Sequence, residues 1–507
     1  MGAKAACRSL GEFVARLEAQ DKLVRVAEPV STVLEMTEIQ TRLLAAEGPA
    51  VLFEKPVLAD GSVSDIPVLA NLFGTVDRVA MGLGRSADKL GALGEHLASM
   101  QNPDPVDGVR DALDKLPIVK SALAMRPRNV RSGPVGQVIL KGGDVDLGKL
   151  PVQTCWPGEP APLITWALVV TRGPGEGRED GVNVGVYRMQ VLGKNRCIMR
   201  WLEHRGGARH HRLWAKRGEP MPVAVVIGAD PGTILAAVTP VPELLSEYQF
   251  AGLLRGAKLE LAPARTIPLQ VPAQAEIVLE GYVSPDETAE EGPYGDHTGY
   301  YNSVERFPVF DVSAITMRRD AVYLSTFTGR PPDEPSVIAR ALNDVYLPIV
   351  KRQFPEIVDC YLPPEACSYR VAVVAIDKRY PGQARRIMMG LWSVLPQFSY
   401  TKLIIVVDKD INARDWKDVI WALATRADAS RDVMIIDDTP IDYLDFASPK
   451  PSLGGKMGID ATNKIGSETT REWGVAIRMS DDVIKAVDEK WQRLGLPGSG
   501  KAIWRKT

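Results

Sequence analysis

Residues 163–171 read Leu-Ile-Thr-Trp-Ala-Leu-Val-Val-Thr, and residues 183–191 read Asn-Val-Gly-Val-Tyr-Arg-Met-Gln-Val. Both runs are rich in β-branched and aromatic side chains and are bounded by Gly, Pro or Asn, the signature of a strand. Further runs of this kind are Val138–Leu140, Cys197–Trp201, Pro222–Ile227, Ala275–Tyr282, Val309–Met317 and Val322–Thr328. Two helical stretches interrupt them, around Ala208–Lys216 and Glu243–Arg255. Many strands with few crossover helices imply an antiparallel barrel. This central domain, residues 126–330, organises the rest.

Upstream, Ser9-Leu10-Gly11-Glu12 reads as a capping box that opens a helix running to about Leu23. A second helix is expected over Val33–Ala46, strands at Ala50–Phe53 and Ile66–Ala70, and helical patterns between Thr75 and Ala124. Residues 1–125 therefore form a mixed α/β unit. The stretch Met125–Gly136 is basic, proline-containing and aperiodic, as a linker is. Downstream, Gly329–Pro335 (GRPPDEP) breaks the chain, and a linking helix follows within 331–355, kinked at Pro348. The strand Tyr369–Ile376, helix Gly382–Leu395, strand Leu403–Val407, helix Ala413–Ala424 and strand Val433–Ile436 alternate. That β-α-β-α-β run implies a parallel sheet with right-handed crossovers in a C-terminal α/β domain, 356–480. A tail segment, 481–507, holds a final helix at Asp481–Leu494 with Val483, Ile484, Val487, Trp491 and Leu494 on one face.

With 61 Lys and Arg against 63 Asp and Glu, the formal charge of −2 argues against a protein that lives on nucleic-acid phosphates. The five cysteines are scattered, with no C-x-x-C, so reduced cytosolic thiols are expected. Leu163–Val170, among the longest apolar runs, falls well short of a membrane span. A cytoplasmic location follows, with any membrane contact peripheral.

Two clusters stand out chemically. Asn183-Val184-Gly185-Val186-Tyr187-Arg188 is followed by Arg200-Trp201-Leu202-Glu203-His204-Arg205-Gly206-Gly207. Arginines and the open amides of a Gly turn are what a phosphate needs, although a solvated turn would look much the same. The second cluster is Glu290 to Tyr301 (EEGPYGDHTGYY), a loop that carries Glu291 and Asp296 with His297 beside them. Paired carboxylates in a shielded cleft split their pKa values, and the one held protonated can donate a proton. The plain alternative is an exposed acidic loop, against which Tyr294, Tyr300 and Tyr301 weigh. Glu247 opens the otherwise apolar helix 244–254, where a carboxylate must be paired, hydrogen-bonded or metal-bound. An oxygen-rich set such as Asn183 and Glu247 suits Mg²⁺ or Mn²⁺, and His204 would tilt it to Mn²⁺. No P-loop, H-E-x-x-H or G-x-S-x-G motif occurs.

Six segments together resemble the UbiD family of carboxy-lyases, which use prenylated FMN. They are NVGVYR (183–188), MRWLEHRGG (199–207), SEYQFAGLL (246–254), EGPYGDHTGYY (291–301), TGRPPDEP (328–335) and KMGIDAT (456–462). Their order is the family's, and Asp296 is the residue found in the branch of 3-polyprenyl-4-hydroxybenzoate decarboxylases of ubiquinone synthesis. The resemblance implies a central split β-barrel that binds the flavin, and non-oxidative decarboxylation through an adduct with prenylated FMN. It implies Arg188 for positioning the substrate carboxylate, Glu291 for tuning and proton exchange, and Asp296 for proton donation. Val186, Tyr187, Arg188, Arg200, Trp201, Leu202, Arg205 and Gly206 match flavin-contacting segments, and Lys456 matches a lysine that reaches the phosphate. Asn183 and Glu247 match metal ligands, with His204 a third candidate, for Mn²⁺ and a monovalent cation such as K⁺. Also implied are a homo-oligomer (dimers, up to a hexamer) and a flavin prenyltransferase that supplies the cofactor. A small phenolic acid is the rival substrate. The tail helix would pack on a neighbouring subunit, on its own domain or at the membrane surface.

Overall fold

The computed structural model describes residues 6–101, 116–175, 181–203, 205–239, 245–394 and 396–497. His204, the basic end of the tail at 501–506 and part of the helical pattern before 124 lie outside the described residues. The chain divides into two compact units, Met1–Ile349 with Pro364–Ser368, and Val350–Pro363 with Tyr369–Thr507.

The first unit opens with α1 (Leu10–Glu18), whose N-cap Ser9 accepts a hydrogen bond from the Glu12 amide. The Glu12 carboxylate reaches back to Arg8 N (2.8 Å), so only one arm of the expected capping box forms. The helix stops short of Leu23 because Asp21 takes a left-handed φ of 53°. Leu23–Val26 is instead strand β1. After α2 (Glu35–Ala45) come β2 (Ala50–Phe53) and β3 (Val68–Ala70), and β2 pairs parallel with β1 and antiparallel with β3.

The central strands are β4 (Val138–Lys141), β5 (Leu163–Ile164), β6 (Ala167–Arg172), β7 (Val182–Val186), β8 (Met189–Gly193), β9 (Arg196–Met199), β10 (Met221–Ile227), β11 (Ile277–Glu291) and β12 (Glu305–Met317). Hydrogen bonds join them in the order β7-β6-β10-β11-β12-β9-β8-β5, with β4 on β12. This ladder is an open path, yet the chain makes its two ends neighbours. Only residues 165–166 separate β5 from β6, and only 187–188 separate β7 from β8. Three extended steps, Ile164 to Ala167, span at most about 11 Å. The sheet must therefore roll up until its first and last strands flank a narrow seam. Tyr187 N donates to Ala167 O (3.2 Å), which carries the β7–β6 ladder one pair beyond Val186 and Leu168, up to the edge of that seam. The expected split barrel is this rolled, unclosed sheet.

Alternate residues of its middle strands serve two cores. Leu168, Val170, Ala224, Val226 and Val278 pack with α1, with α4 (Pro231–Val238) and with α5 (Glu247–Arg255). Ala167, Val169, Val223, Val225, Ile277 and Leu279 pack with Phe310 and Met199 on the other side. Every residue of β10 is buried, which is why it reads as a continuous apolar run. Each such valine contributes about 1.5–3 kcal/mol by leaving water. One helix, α3 (Gly206–Ala215), leads into β10. After the barrel, β13 (Tyr323–Leu324) pairs parallel with β3 and adds a fourth strand to the N-terminal sheet. The helix α6 (Glu334–Gln353) carries Pro348 and runs through the division at 349/350.

The second unit is a five-stranded sheet, β14 (Ile357–Tyr361), β15 (Val371–Ile376), β16 (Leu403–Asp408), β17 (Val433–Pro440) and β18 (Leu453–Ala461), ordered β14-β15-β16-β18-β17. The helices α7 (Gln383–Val394) and α8 (Trp416–Arg426) make the crossovers. The third parallel strand is β18, not Val433–Ile436 as expected; β17 runs antiparallel to it as a hairpin arm. Gly454, Gly455 and Gly458 hid β18 in the sequence, since glycine argues against a strand. The closing helix α9 (Asp481–Lys490) buries none of its residues. All five cysteines are unbridged thiols. Among the described residues, no helix is long and apolar enough to cross a membrane.

Candidate active site

Arg188 sits at the seam, between β7 and β8, where the ladder is open. Met189 pairs with Met199, so Arg188 and Arg200 are the next residues out on two antiparallel strands. Like charges directly opposite each other repel unless anions lie between them. Two carboxylates do. Glu291, the last residue of β11, is fully buried and accepts from Arg188 Nε (2.8 Å) and Nη2 (3.2 Å) in a bidentate pair. Asp296 Oδ2 accepts from Arg188 Nη1 (2.9 Å) and Arg200 Nη1 (3.2 Å).

Asp296 stands at the tip of a small hairpin. Asp296 N donates to Tyr300 O (3.1 Å), Gly299 N donates to Asp296 O (2.8 Å), and Asn302 N donates to Tyr294 O (3.0 Å) at its base. The turn needs glycine at 299, whose φ is 83°. Behind the hairpin lies the turn 155–161. Trp156 fills the space where a Gly295 side chain would stand, 2.1 Å from an added Cβ. Tyr294 OH donates to Ala161 O (2.9 Å), and Gly158 N donates to Tyr301 OH (3.0 Å).

The acids are not poised as the sequence suggests. Burial pushes the Asp296 carboxyl up, but the His297 hydrogen bond and charge, then Arg188 and Arg200, hold it well below the usual range. His297 Nδ1 lies 2.6 Å from Asp296 Oδ1. The expectation of a raised acid at Asp296 is therefore not met: in this arrangement it is ionised. The raised acid beside the site is Glu159, pushed up by burial against bonds from Trp156, Cys155 and Gly295 and the field of Arg188. Sequence reasoning missed both Glu159 and Asn302. A Glu in a Pro- and Gly-rich turn and an Asn beside a tyrosine pair carry no pattern of their own.

A second group of expected residues gathers at the start of α3. A Cβ at Gly206 would fall 2.0 Å from Asn183 Oδ1, and one at Gly207 would fall 2.6 Å from Trp201 Nε1. Gly207 N donates to Tyr187 OH (3.3 Å), and Tyr187 stands edge-on to Trp201 with centroids 6.4 Å apart. Arg205 is the N-cap of α3 and provides no side-chain cap, so of the first amides Gly207 N turns to Tyr187 OH and none is met by the cap residue's side chain. Among the described residues, the buried donors Asn183 Nδ2 and Trp201 Nε1 have no hydrogen-bond partner. An anionic, ring-bearing cofactor fits this set of unmet donors beside a helix N-terminus. Leu202 is half-buried and Val186 ends β7 in the same neighbourhood.

Glu247 is the first residue of α5, behind the N-cap Ser246, and its Oε2 accepts from Val184 N (2.8 Å). That bond sets it against the strand that carries Asn183, and burial raises its carboxyl. Among the described residues no three His, Cys, Asp or Glu side chains gather as a metal site. Lys456 lies on β18 in the second unit. Its ammonium donates to Ser399 O (2.5 Å), Pro440 O (2.8 Å) and Thr401 O (3.5 Å), and burial lowers it to about 8.

Three models of the 3-octaprenyl-4-hydroxybenzoate carboxy-lyase match the chain: the N-terminal domain at 14–96, the Rift-related domain at 128–331 and the C-terminal domain at 336–461. The UbiD-class enzyme HmfF from Pelotomaculum thermopropionicum, solved with FMN, is 29% identical over 95% of this chain and 99% of its own, with a TM-score of 0.76. An evolved dimeric form of that enzyme, solved with prFMN, is 28% identical over 93% and 97%, with a TM-score of 0.73. The vanillic acid decarboxylase of Sedimentibacter hydroxybenzoicus, in closed form, is 25% identical over 96% and 99%, with a TM-score of 0.80. The matched models span most of the chain, the fold likeness agrees with them, and the chain belongs to the UbiD family of carboxy-lyases.

Proposed function

We propose that this protein removes CO₂ from an aromatic acid with the help of a prenylated FMN. The observation that carries the reading is Arg188 held between Glu291 and Asp296 at the barrel seam. The complexes of the HmfF forms with FMN and prFMN support the cofactor. When bound, the prenylated flavin supplies an electron sink for the pair left as CO₂ departs.

The chain's own residues set the rest. A guanidinium has five N–H donors. Arg188 spends two on Glu291, one on Asp296 and one on Asn302 Oδ1 (2.7 Å), which leaves one on Nη1. Bidentate grip of a substrate carboxylate thus requires Asp296 to leave Nη1. Released from that charge, Asp296 gains basicity, takes a proton and can return it to the ring carbon that lost CO₂. Glu291 keeps Arg188 oriented and is the partner for proton exchange. Asn183, Trp201, Arg205 and Gly206 would hold the flavin and its phosphate. Asn183, Glu247 and His204 would hold Mn²⁺ at that phosphate, and a monovalent cation such as K⁺ would be a further ion.

The preferred substrate is a 3-polyprenyl-4-hydroxybenzoate, giving a 2-polyprenylphenol for ubiquinone synthesis; the description of the matched models supports it. The likeness to vanillic acid decarboxylase supports a small phenolic acid as the second reading. A homo-oligomer, a flavin prenyltransferase as cofactor supplier and peripheral membrane contact belong to the same proposal. The test is protein co-expressed with a flavin prenyltransferase and assayed on prenylated and bare 4-hydroxybenzoates. Release of CO₂ from the prenylated acid is expected. Turnover of bare acids alone selects the second reading, and no CO₂ from either, with prenylated flavin bound, overturns both.

A further inference from the structure

Asn302 lies on the strand side of the 294–302 hairpin and is 3% exposed. All four hydrogen-bonding directions of its amide are used. Oδ1 accepts from Arg188 Nη2 (2.7 Å) and from Tyr294 N (2.8 Å). Nδ2 donates to Ser303 O (2.6 Å) and, at 3.5 Å, to Glu291 Oε2. The orientation is forced, because a flipped amide would set NH₂ against the guanidinium and the Tyr294 amide, and oxygen against a carboxylate. One buried side chain thus touches Arg188, touches Glu291 and closes the hairpin that presents Asp296.

We infer that Asn302 is a positioning residue that couples the three charged groups of the centre. Its oxygen fixes the roll of the Arg188 guanidinium while Glu291 fixes its tilt. Its nitrogen steadies the Glu291 oxygen nearest Arg200, which lies 3.9 Å from Arg200 Nε. The paired bonds between Asn302 and Tyr294 hold the hairpin base, two residues before Asp296. When Asp296 leaves Arg188 for an incoming carboxylate, Asn302 and Glu291 keep the guanidinium in place. The neutral amide is the chemistry the position needs. It offers an acceptor to the cation and a donor to the anion at once, which neither a carboxylate nor an ammonium can do.

The inference rests on the proposed decarboxylation, and Arg188→Ala is the benchmark that separates the two. Asn302→Ala, Asn302→Asp and Arg188→Ala are prepared as prenylated-flavin-loaded enzyme. CO₂ release is followed against pH, with FMN affinity measured by fluorescence quenching. Asn302→Ala is expected to lower kcat 10- to 100-fold while FMN affinity stays within 2-fold. Asn302→Asp keeps the bonds to Arg188 and Tyr294 but sets a second carboxylate against Glu291. Its acid limb in kcat/KM is expected to move to higher pH. Wild-type pH profiles and kcat in both Asn302 variants, with Arg188→Ala inactive, overturn the inference and leave the function standing. Unchanged turnover in Arg188→Ala overturns the function itself. If Asn302→Ala does not fold, the isosteric Asn302→Asp carries the test, and failure of both to fold assigns Asn302 to stability and overturns the inference.

Discussion

Arg188 and Arg200 face each other on neighbouring strands and aim their Nη1 atoms at one oxygen of Asp296, from 2.9 and 3.2 Å. The pair needs anions, and Asp296 is the one that can be exchanged for a substrate carboxylate. Asp296→Asn removes that anion and the transferable proton together. Benzoate binding to flavin-loaded Asp296→Asn is expected to tighten several-fold, while kcat falls by about 10²-fold or more, the scale of a lost acid. Isothermal titration and single-turnover CO₂ release check the two halves separately.

Proton uptake on binding follows from the same exchange. His297, then Arg188 and Arg200, keep Asp296 ionised, and losing Arg188 to another anion removes one of the charges that hold its carboxyl down, so the carboxyl rises. The complex then binds more protons than the separated partners, so affinity for an aromatic carboxylate increases as pH falls. Titrations with one acid in two buffers of different ionisation enthalpy should give uptake approaching one proton. Zero uptake near neutral pH would show that Asp296 keeps its arginines.

Gly206→Ala is expected to weaken FMN binding at least 10-fold. Its Cβ would stand 2.0 Å from Asn183 Oδ1, and the first turn of α3 cannot move without carrying Gly207 away from Tyr187. Flavin fluorescence quenching reads the loss, and circular dichroism shows that the fold survives.

Lys456→Met should act on the second unit. It strands three carbonyl groups that now share one ammonium, at a cost of about 1–3 kcal/mol for a buried group left unsatisfied. A lower Tm with unaltered FMN affinity is the expected result. A weakened flavin with unchanged Tm would instead favour the phosphate contact implied by the family resemblance.

Glu334 makes stability depend on pH. The residue is fully buried, accepting from Phe73 N (2.6 Å) and Thr326 Oγ1 (2.6 Å), and burial lifts its carboxyl to about 7. Its folded pKa thus exceeds the ordinary 4.5. The native state holds the extra proton between those values, and stability falls as pH rises through them, by about 3 kcal/mol at most. Glu334→Gln should flatten the decline in Tm between pH 5 and pH 8, measured by scanning calorimetry.

The sequence displayed the strands of the barrel because their burial on two faces leaves long β-branched runs, as in Met221–Ile227. It also displayed the charged triad, because Arg188, Glu291 and Asp296 sit in segments dense with Gly and Tyr. Glycine concealed β18, and the largely apolar helix α4 offers no amphipathic period to read. Asn302 and Glu159 were invisible for another reason: each joins the centre through a partner more than 100 residues away, Arg188 for the amide and Gly295 for the carboxylate. The lowered pKa of Asp296 likewise depends on His297 beside it and on two arginines that only strand register brings side by side.

The two-residue joints at 165–166 and 187–188 act as a gauge for the whole centre. Inserting one residue into the second joint would rotate Arg188 to the opposite side of the wall and unlatch the neighbouring strand edge with it. Length variation among relatives should therefore collect in the surface loops and spare these joints, even where their side chains differ.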